Sequence, residues 1–226
     1  MLIVAVDNSL DLLNIAAADD EMILAERNVI NSQTPSEIIA TALSGVLADA
    51  DRSIADVKTI FVTLGPGSFT GIRVALAFCK GIASAKNIPL IGVPTLDVLA
   101  QSLSFMDGYF LCPIIDAKKS EVFLSLYYAS NGKLKKLIDD RAVKPEKVPE
   151  VIQKPCICFG TGITICEPFL KEIEDIRIEQ NAHRAITADA FVKTGIDIMR
   201  NSTKYNTKLI YGRKSEAEIK FNVTVD

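Results

Sequence analysis

The sequence contains a single histidine, His183, and that scarcity removes whole classes of chemistry. A zinc protease of the His-Glu-x-x-His type needs two histidines, as does any other paired-histidine metal motif. A Ser-His-Asp hydrolase could use only His183, in Asn181-Ala182-His183-Arg184, and no Gly-x-Ser-x-Gly nucleophile elbow accompanies it. A solvated loop histidine is the default reading. Basic excess is lacking too. With 25 lysines and arginines against 28 aspartates and glutamates, the net charge is −3, which argues against a dedicated nucleic-acid binder and leaves room only for a local patch. Long apolar runs are missing, and the N-terminal run from Leu2 reaches Asp7 at once. Neither a signal peptide nor a membrane span is expected, and a cytoplasmic location follows. Metal-ligand spacing is absent among the cysteines Cys79, Cys112, Cys156, Cys158 and Cys166, which are odd in number and sit in apolar runs. Cys156 and Cys158 share one face of a predicted strand, but two thiols without further ligands make a poor zinc site. Reduced core thiols and no metal site are expected.

What is present is a 49% hydrophobic chain of 226 residues, enough for one large or two small domains with a real core. Its most informative stretch runs from Thr59 to Ala85. The apolar run Thr59 to Leu64 breaks at Gly65-Pro66-Gly67-Ser68-Phe69-Thr70-Gly71 and resumes with helical spacing at Ile72. Gly65 and Gly67 permit backbone angles that a Cβ forbids, Pro66 fixes one φ, and Ser68 or Thr70 can cap the helix. Such a turn suggests a phosphate cradle, but the P-loop lysine is missing and the third Rossmann glycine position is Thr70. Gly65, Gly67 and Ser68 are therefore candidate phosphate contacts, weighed against a tight structural turn.

Steps of ~100° along the helix that follows leave a narrow polar wedge at Arg73, Lys80 and Ser84. One apolar side carries Ile72, Leu76, Cys79 and Ala83. A second carries Val74, Ala77, Phe78, Gly81 and Ala85, more than a helix lying on one sheet requires. The bland reading is a helix sandwiched in its own domain. The sharper one is a subunit interface of Thr70, Gly71, Val74, Ala77, Phe78, Gly81 and Ala85, whose small residues admit a partner helix closely. An earlier helix, opened by Thr34-Pro35-Ser36-Glu37 as a capping box, also has a broad apolar face, and Ile39, Leu43 and Val46 join the candidate interface.

In chain order, Leu2 to Val6, Leu12 to Ala18 and Met22 to Val29 read as a three-strand meander, followed by the helix from Pro35 to Ala50, the central strand and helix, a strand Leu90 to Val93 and a helix from Thr95 to about Ser104. The pattern then starts again with strands Tyr109 to Ile115, Val122 to Tyr128 and Leu134 to Val143, the last two joined by Asn131-Gly132. A helical segment near Pro145 to Gln153, a strand Cys156 to Phe159, a helix through Cys166 to Ile173 and another from Thr187 to about Met199 follow. The polar tail from Asn201 is expected to be partly mobile. The reading divides the chain into an α/β lobe at 1–108 and a smaller one at 109–226. Asp7, with Asn8 beside it, and Asp116 end the two opening strands and are candidate nucleotide contacts. With Glu121 they could hold Mg²⁺ for phosphoryl transfer, which makes an ATP-dependent phosphotransferase or ATPase the alternative function.

The run Gly65-Pro66-Gly67-Ser68-Phe69-Thr70-Gly71-Ile72-Arg73 resembles the signature of the bacterial TsaB (YeaZ) family. Met1 to Ser9 resembles its opening strand and aspartate, Ile91 to Leu96 its next strand-to-helix junction, and Ile115 to Phe123 its mid-chain aspartate motif. Departures are Thr34, where the family usually has histidine, and Lys118, Ser120 and Phe123, where arginine, glycine and tyrosine are commoner. Leu209 to Arg213 resembles a segment that usually begins with proline. The resemblance implies a duplicated fold of the actin, hexokinase and Hsp70 type, with ribonuclease H-like lobes and mixed sheets. It also implies a non-catalytic, obligate partner of TsaD, the enzyme that forms N6-threonylcarbamoyladenosine beside the anticodon of tRNA. A TsaE-like ATPase, self-association as a homodimer and tRNA contact through the complex come with it. No cofactor of its own is expected, ATP or ADP with Mg belonging to the complex.

Overall fold

The computed structural model describes residues 1–30, 35–118, 120–180, 185–202 and 206–210; the side chains of residues 35–37 lie outside that description, as do Thr34, Lys119, His183 and the segment from Tyr211 onward. The first half opens with strands β1 (Leu2–Asp7), β2 (Leu12–Asp19) and β3 (Met22–Ile30), then helix α1 (Pro35–Asp49), β4 (Thr59–Thr63), α2 (Phe69–Lys86), β5 (Leu90–Val93) and α3 (Thr95–Gln101). The second half has β6 (Phe110–Asp116), β7 (Val122–Ser130), β8 (Lys133–Val143), β9 (Cys156–Phe159), α4 (Ile163–Leu170), β10 (Ile176–Glu179) and α5 (Ala188–Asn201). Short 3₁₀ turns at Ile54–Asp56 and Pro145–Glu150 join them.

Each half builds one five-stranded sheet. The orders are β3-β2-β1-β4-β5 and, from the other end, β8-β7-β6-β9-β10, so the same topology occurs twice. In both, a hairpin meander pairs antiparallel and the later strands add in parallel. Asn131 and Gly132 turn the β7–β8 hairpin with positive φ at both positions (51° and 68°), as a two-residue primed turn requires.

Period-two alternation sorts the side chains into layers. From β1 and β4, Val4, Val6, Ile60 and Val62 face a core under α1 and α2, while Ile3, Ala5 and Phe61 face the opposite way. Those inner residues meet Leu111, Phe123, Tyr127 and Phe159 of the second sheet across a central core that also holds Leu96, Leu99, Phe191 and Ile196 of α3 and α5. The outer face of the second sheet, with Cys112, Leu124, Leu126 and Cys158, is covered by α4. The layers run α1 and α2, sheet, α3 and α5, sheet, α4.

Three expectations shift. A strand, β10, lies between α4 and α5, where the sequence reading placed none; its apolar–polar alternation is only four residues long. Helix α4 begins at Ile163, directly after the Gly160-Thr161-Gly162 turn, rather than at Cys166. Most consequentially, α5 packs back on the first sheet, against β5, β1, β2 and β3, although its sequence lies in the second half. Gly195 permits this: a Cβ there would stand 2.2 Å from the buried ring of Phe61. The sheets follow the two sequence halves, and this helix does not.

Candidate functional site

The Gly65–Gly71 turn carries β4 into α2. Ser68 is the N-cap, its Oγ accepting from the Gly71 N–H at 3.2 Å, and its own N–H donates to Ser9 O at 2.7 Å. Gly67 is glycine for want of space: a Cβ would lie 2.1 Å from Ser9 O. Gly65 has φ +102° and its Cβ would lie 2.5 Å from Ile210 O, while Ile210 N–H donates to Leu64 O at 2.8 Å. Two backbone oxygens of the chain itself therefore face these glycines. Carbonyl oxygens repel a phosphate, so the turn's glycines serve close chain packing. Gly71 is likewise held against Asn8, whose side-chain amide donates to Gly71 O at 3.3 Å.

Helix α2 resolves into the two sides that its spacing indicates. Ile72, Leu76, Cys79 and Ala83 are buried against the sheet. Thr70, Ala77, Gly81 and Ala85 are exposed, Val74 and Phe78 are half-buried, and a Cβ at Gly81 would meet nothing within 4 Å. Arg73 lies over the ring of Phe69, itself 55% exposed, at 3.6 Å from the centroid. The part of the interface expectation that rested on α1 is corrected: Ile39, Leu43 and Val46 are buried in the first sheet's outer core, with Val46 wholly inaccessible. The broad apolar face of α1 is used up because it packs on β2 and β3 and also touches α2. Gly71 too is buried beneath Asn8 and offers no contact surface.

The strand-end aspartates occupy equivalent places and have unlike surroundings. Asp7 is fully buried. Its Oδ1 accepts from Ser9 N (2.9 Å), Ser9 Oγ (2.5 Å) and Thr63 Oγ1 (2.8 Å), and its Oδ2 from Asn14 Nδ2 (2.8 Å). Burial pushes its pKa up, against the pull of those four donors. Asp116 is partly open. Burial raises its pKa, but the hydrogen bonds from Lys118 Nζ (2.7 Å) and Lys118 N (2.8 Å), with the lysine charge, hold it below the ordinary value. The magnesium reading is not supported by this geometry: among the described residues no group of three or more His, Cys, Asp or Glu is placed to hold a metal ion, and both oxygens of Asp7 are committed.

A family model described as TsaD, tRNA N6-adenosine threonylcarbamoyltransferase, matches residues 29–196. The chain belongs to this family. Within it, the TsaB (YeaZ) resemblance carried by the Gly65–Arg73 run is borne out. The protein named tRNA threonylcarbamoyladenosine biosynthesis protein TsaB in Bacillus subtilis (strain 168) is 28% identical over 176 residues, covering 76% of each chain. Its namesake in Escherichia coli (strain K12) is 28% identical over 167 residues and 72% of each chain. YeaZ from Pseudomonas aeruginosa shares the fold, with a TM-score of 0.75 at 21% identity over 88% of this chain and 92% of that one. A second Pseudomonas aeruginosa structure, described as similar to peptidase YEAZ, reaches 0.80 at 20% identity over 94% and 99%. No helix among the described residues is long and apolar enough to cross a membrane.

Against this family background, several residues that sequence reasoning passed over stand out. Ser9, Asn14 and Thr63 form the donor set around Asp7; only the Asp-x-Ser spacing, typical of an aspartate bonding two residues on, hinted at one of them. Cys112 and Cys166 converge with Cys156 and Cys158 in one core, all four buried and all free, and Cys156 Sγ lies 3.9 Å from Cys158 Sγ. Their burial matches the expectation that these thiols belong to the core. Tyr127, Asp97, Lys136 and Asp140 form a polar network at the seam of the two halves, joining side chains 30 and 39 residues apart in sequence.

Proposed function

We propose that this chain is a non-catalytic, obligate subunit that pairs with a TsaD-type threonylcarbamoyltransferase in forming N6-threonylcarbamoyladenosine beside the tRNA anticodon. Family membership and the names of its relatives support the pathway. The observation that carries the partner role is the outward side of α2. With its sheet-facing stripe already buried, the helix still presents Val74, Ala77, Phe78, Gly81 and Ala85 over about three turns, flanked by exposed Phe69. Small residues at Ala77, Gly81 and Ala85 let a second helix approach closely, and a stable contact buries about 800 Å² per partner. Docking there would favour one conformation of the catalytic subunit. Self-association through the same side and recruitment of a TsaE-type ATPase belong to this proposal, as do a cytoplasmic site of action and ATP or ADP with Mg held by the complex. Commitment of both Asp7 oxygens inside the protein favours this reading over a phosphotransferase.

The test is N6-threonylcarbamoyladenosine formation on tRNA by TsaD, TsaE and the adenylate-forming enzyme TsaC, with and without this chain. Product that requires both this chain and TsaD is expected. Product formed equally well without the chain would defeat the proposal. Gly81→Arg is expected to abolish TsaD binding and turnover while the purified subunit keeps its fold, because the position faces open space. A variant that supports full turnover would move the interface elsewhere.

A further inference from the structure

Strand register lines up a polar row across the first sheet. Asp7 of β1 stands opposite Asn14 of β2, and Asn14 opposite Asn28 of β3, so the three side chains share one face with neighbouring Cβ atoms about 5 Å apart. Thr63 of β4 joins the row, its Oγ1 donating to Asp7 Oδ1 at 2.8 Å. Asn14 is the irregular member. Its Nδ2 donates to Asp7 Oδ2 at 2.8 Å, while its Oδ1 is buried with no hydrogen-bond partner among the described residues. A cleft of about 10 Å³ lies beside Asn14, lined by Glu26 and Asn28 of β3 and by Ala188 and Phe191 of α5. It has room for about one water and too little for a small-molecule guest.

A charged Asp7 would be a buried anion held by neutral donors alone, two from Ser9, one from Thr63 and one from Asn14. No ion pair involves it among the described residues. Of the helices packed against β1, α2 carries Arg73 and Lys80 at exposed positions and Lys86 bound to Ala55 O, and the first turns of α5 offer only exposed Asp189 and Lys193. On β2, Asp19 pairs with the Met1 ammonium at the far end of β1, and Glu26 of β3 lines the cleft beside Asn14. Half a turn of the Asn14 amide about Cβ–Cγ exchanges Oδ1 and Nδ2. With a proton on Asp7 Oδ2, that turn satisfies the row: the Asp7 hydroxyl donates to Asn14 Oδ1, Asn14 Nδ2 donates to Asn28 Oδ1, and Thr63 still donates to Asp7 Oδ1. No charge and no orphaned oxygen is then buried, and bonds that run in one direction reinforce one another.

We propose that Asp7 and Asn14 form a proton-coupled switch, in which uptake of one proton from water by Asp7 turns the Asn14 amide toward Asn28 and its release turns the amide back. Proton uptake thus moves a hydrogen bond from the end of β1 to the cleft that β3 shares with α5. Burial, which pushes the Asp7 pKa up against its four donors, favours the protonated arrangement. An NMR titration of the full chain, with isotope-labelled aspartate and asparagine, tests it at Asp7 Cγ and at the Asn14 side-chain amide. Asp7 is expected to titrate above about pH 3.9, the ordinary aspartate value, with the Asn14 amide signals moving at the same midpoint and a contact to Asn28 present only on the protonated side. Asn28→Ala, at an exposed position, removes the acceptor of the turned amide and should lower the Asp7 midpoint by about half a pH unit or more. Four results would each overturn the proposal: Asp7 titrating at or below the ordinary value, no titration of Asp7 while the chain stays folded, an Asn14 amide that does not follow it, or an unchanged midpoint in Asn28→Ala. An unmoving amide would mean that water, and not the Asp7 proton, satisfies Asn14 Oδ1.

Discussion

Asp7 and Asp116 end the first strand of the same five-strand topology, built twice in one chain, yet one carboxylate is sealed and the other faces outward. The difference comes from what the next turn contributes. In the first half, Ser9 and Asn14 wrap Asp7 from the β1–β2 hairpin and Thr63 closes from β4. In the second, Lys118 folds back over Asp116 from the loop itself, and from the β9 side Thr161 reaches the strand end, its Oγ1 accepting from Asp116 N at 3.3 Å. Shared topology places a carboxylate; its neighbours decide whether it is structural or accessible. The first half thus uses its strand end as packed core, while its outer helix α2 keeps the free surface.

The sharpest way to break this comparison is to remove both carboxylates. Asp7→Ala leaves buried hydroxyl and amide donors without an acceptor and should cost about 3 kcal/mol in denaturant unfolding, while Asp116→Ala should cost about 0.5 kcal/mol. Equal costs would show that the two ends are alike after all. Next in size is Gly67→Ala. The new methyl would press on Ser9 O and should destabilise by about 2 kcal/mol, whereas Gly81→Arg, on the open side of the following helix, should leave stability unchanged or raise it by about 0.5 kcal/mol.

The pH dependences should have opposite signs. Asp7 has a raised folded-state pKa, so the native state holds its proton more tightly and the charge lowers stability as pH rises from about 3.8 through the raised value. Asp7→Asn removes that slope, and can donate to Asn14 Oδ1, an atom without a partner among the described residues. Its stability relative to the parent should rise with pH across that window. Asp116 has a lowered folded-state pKa, and its pairing contributes stability above about pH 3.8 that is lost as pH falls through the lowered value. The small deficit of Asp116→Asn should therefore shrink on acidification. Unfolding curves from pH 3 to 8 on both variants check the pair, and parallel slopes would contradict the assignment.

Much of the fold was legible because local signals agreed with it. The continuous apolar run Leu2 to Val6, the Asn131-Gly132 turn and the cap at Thr187 each act over a few residues, so they survive in the sequence. The candidate site was legible in part. The two sides of α2 follow from ~100° spacing, but the same argument misjudged α1, because a broad apolar stripe does not say how many elements will cover it. Ile39 and Val46 face the sheet and Gly81 faces outward. Only the packing of α1 on β2, β3 and α2 separates those cases.

By itself, the sequence determined the element order, the repeat of meander followed by strand–helix units, and the nonapeptide that marks the family, since each depends on neighbours within a few residues. Tertiary structure alone decided that α5 returns to the first sheet through the clearance at Gly195. It also decided that Thr63, 56 residues away, completes the seal on Asp7, and that Asp97 and Lys136 meet at the seam. These are contacts between distant residues whose identities carry no local signature. Their geometry exists only once both sheets are built and pressed together.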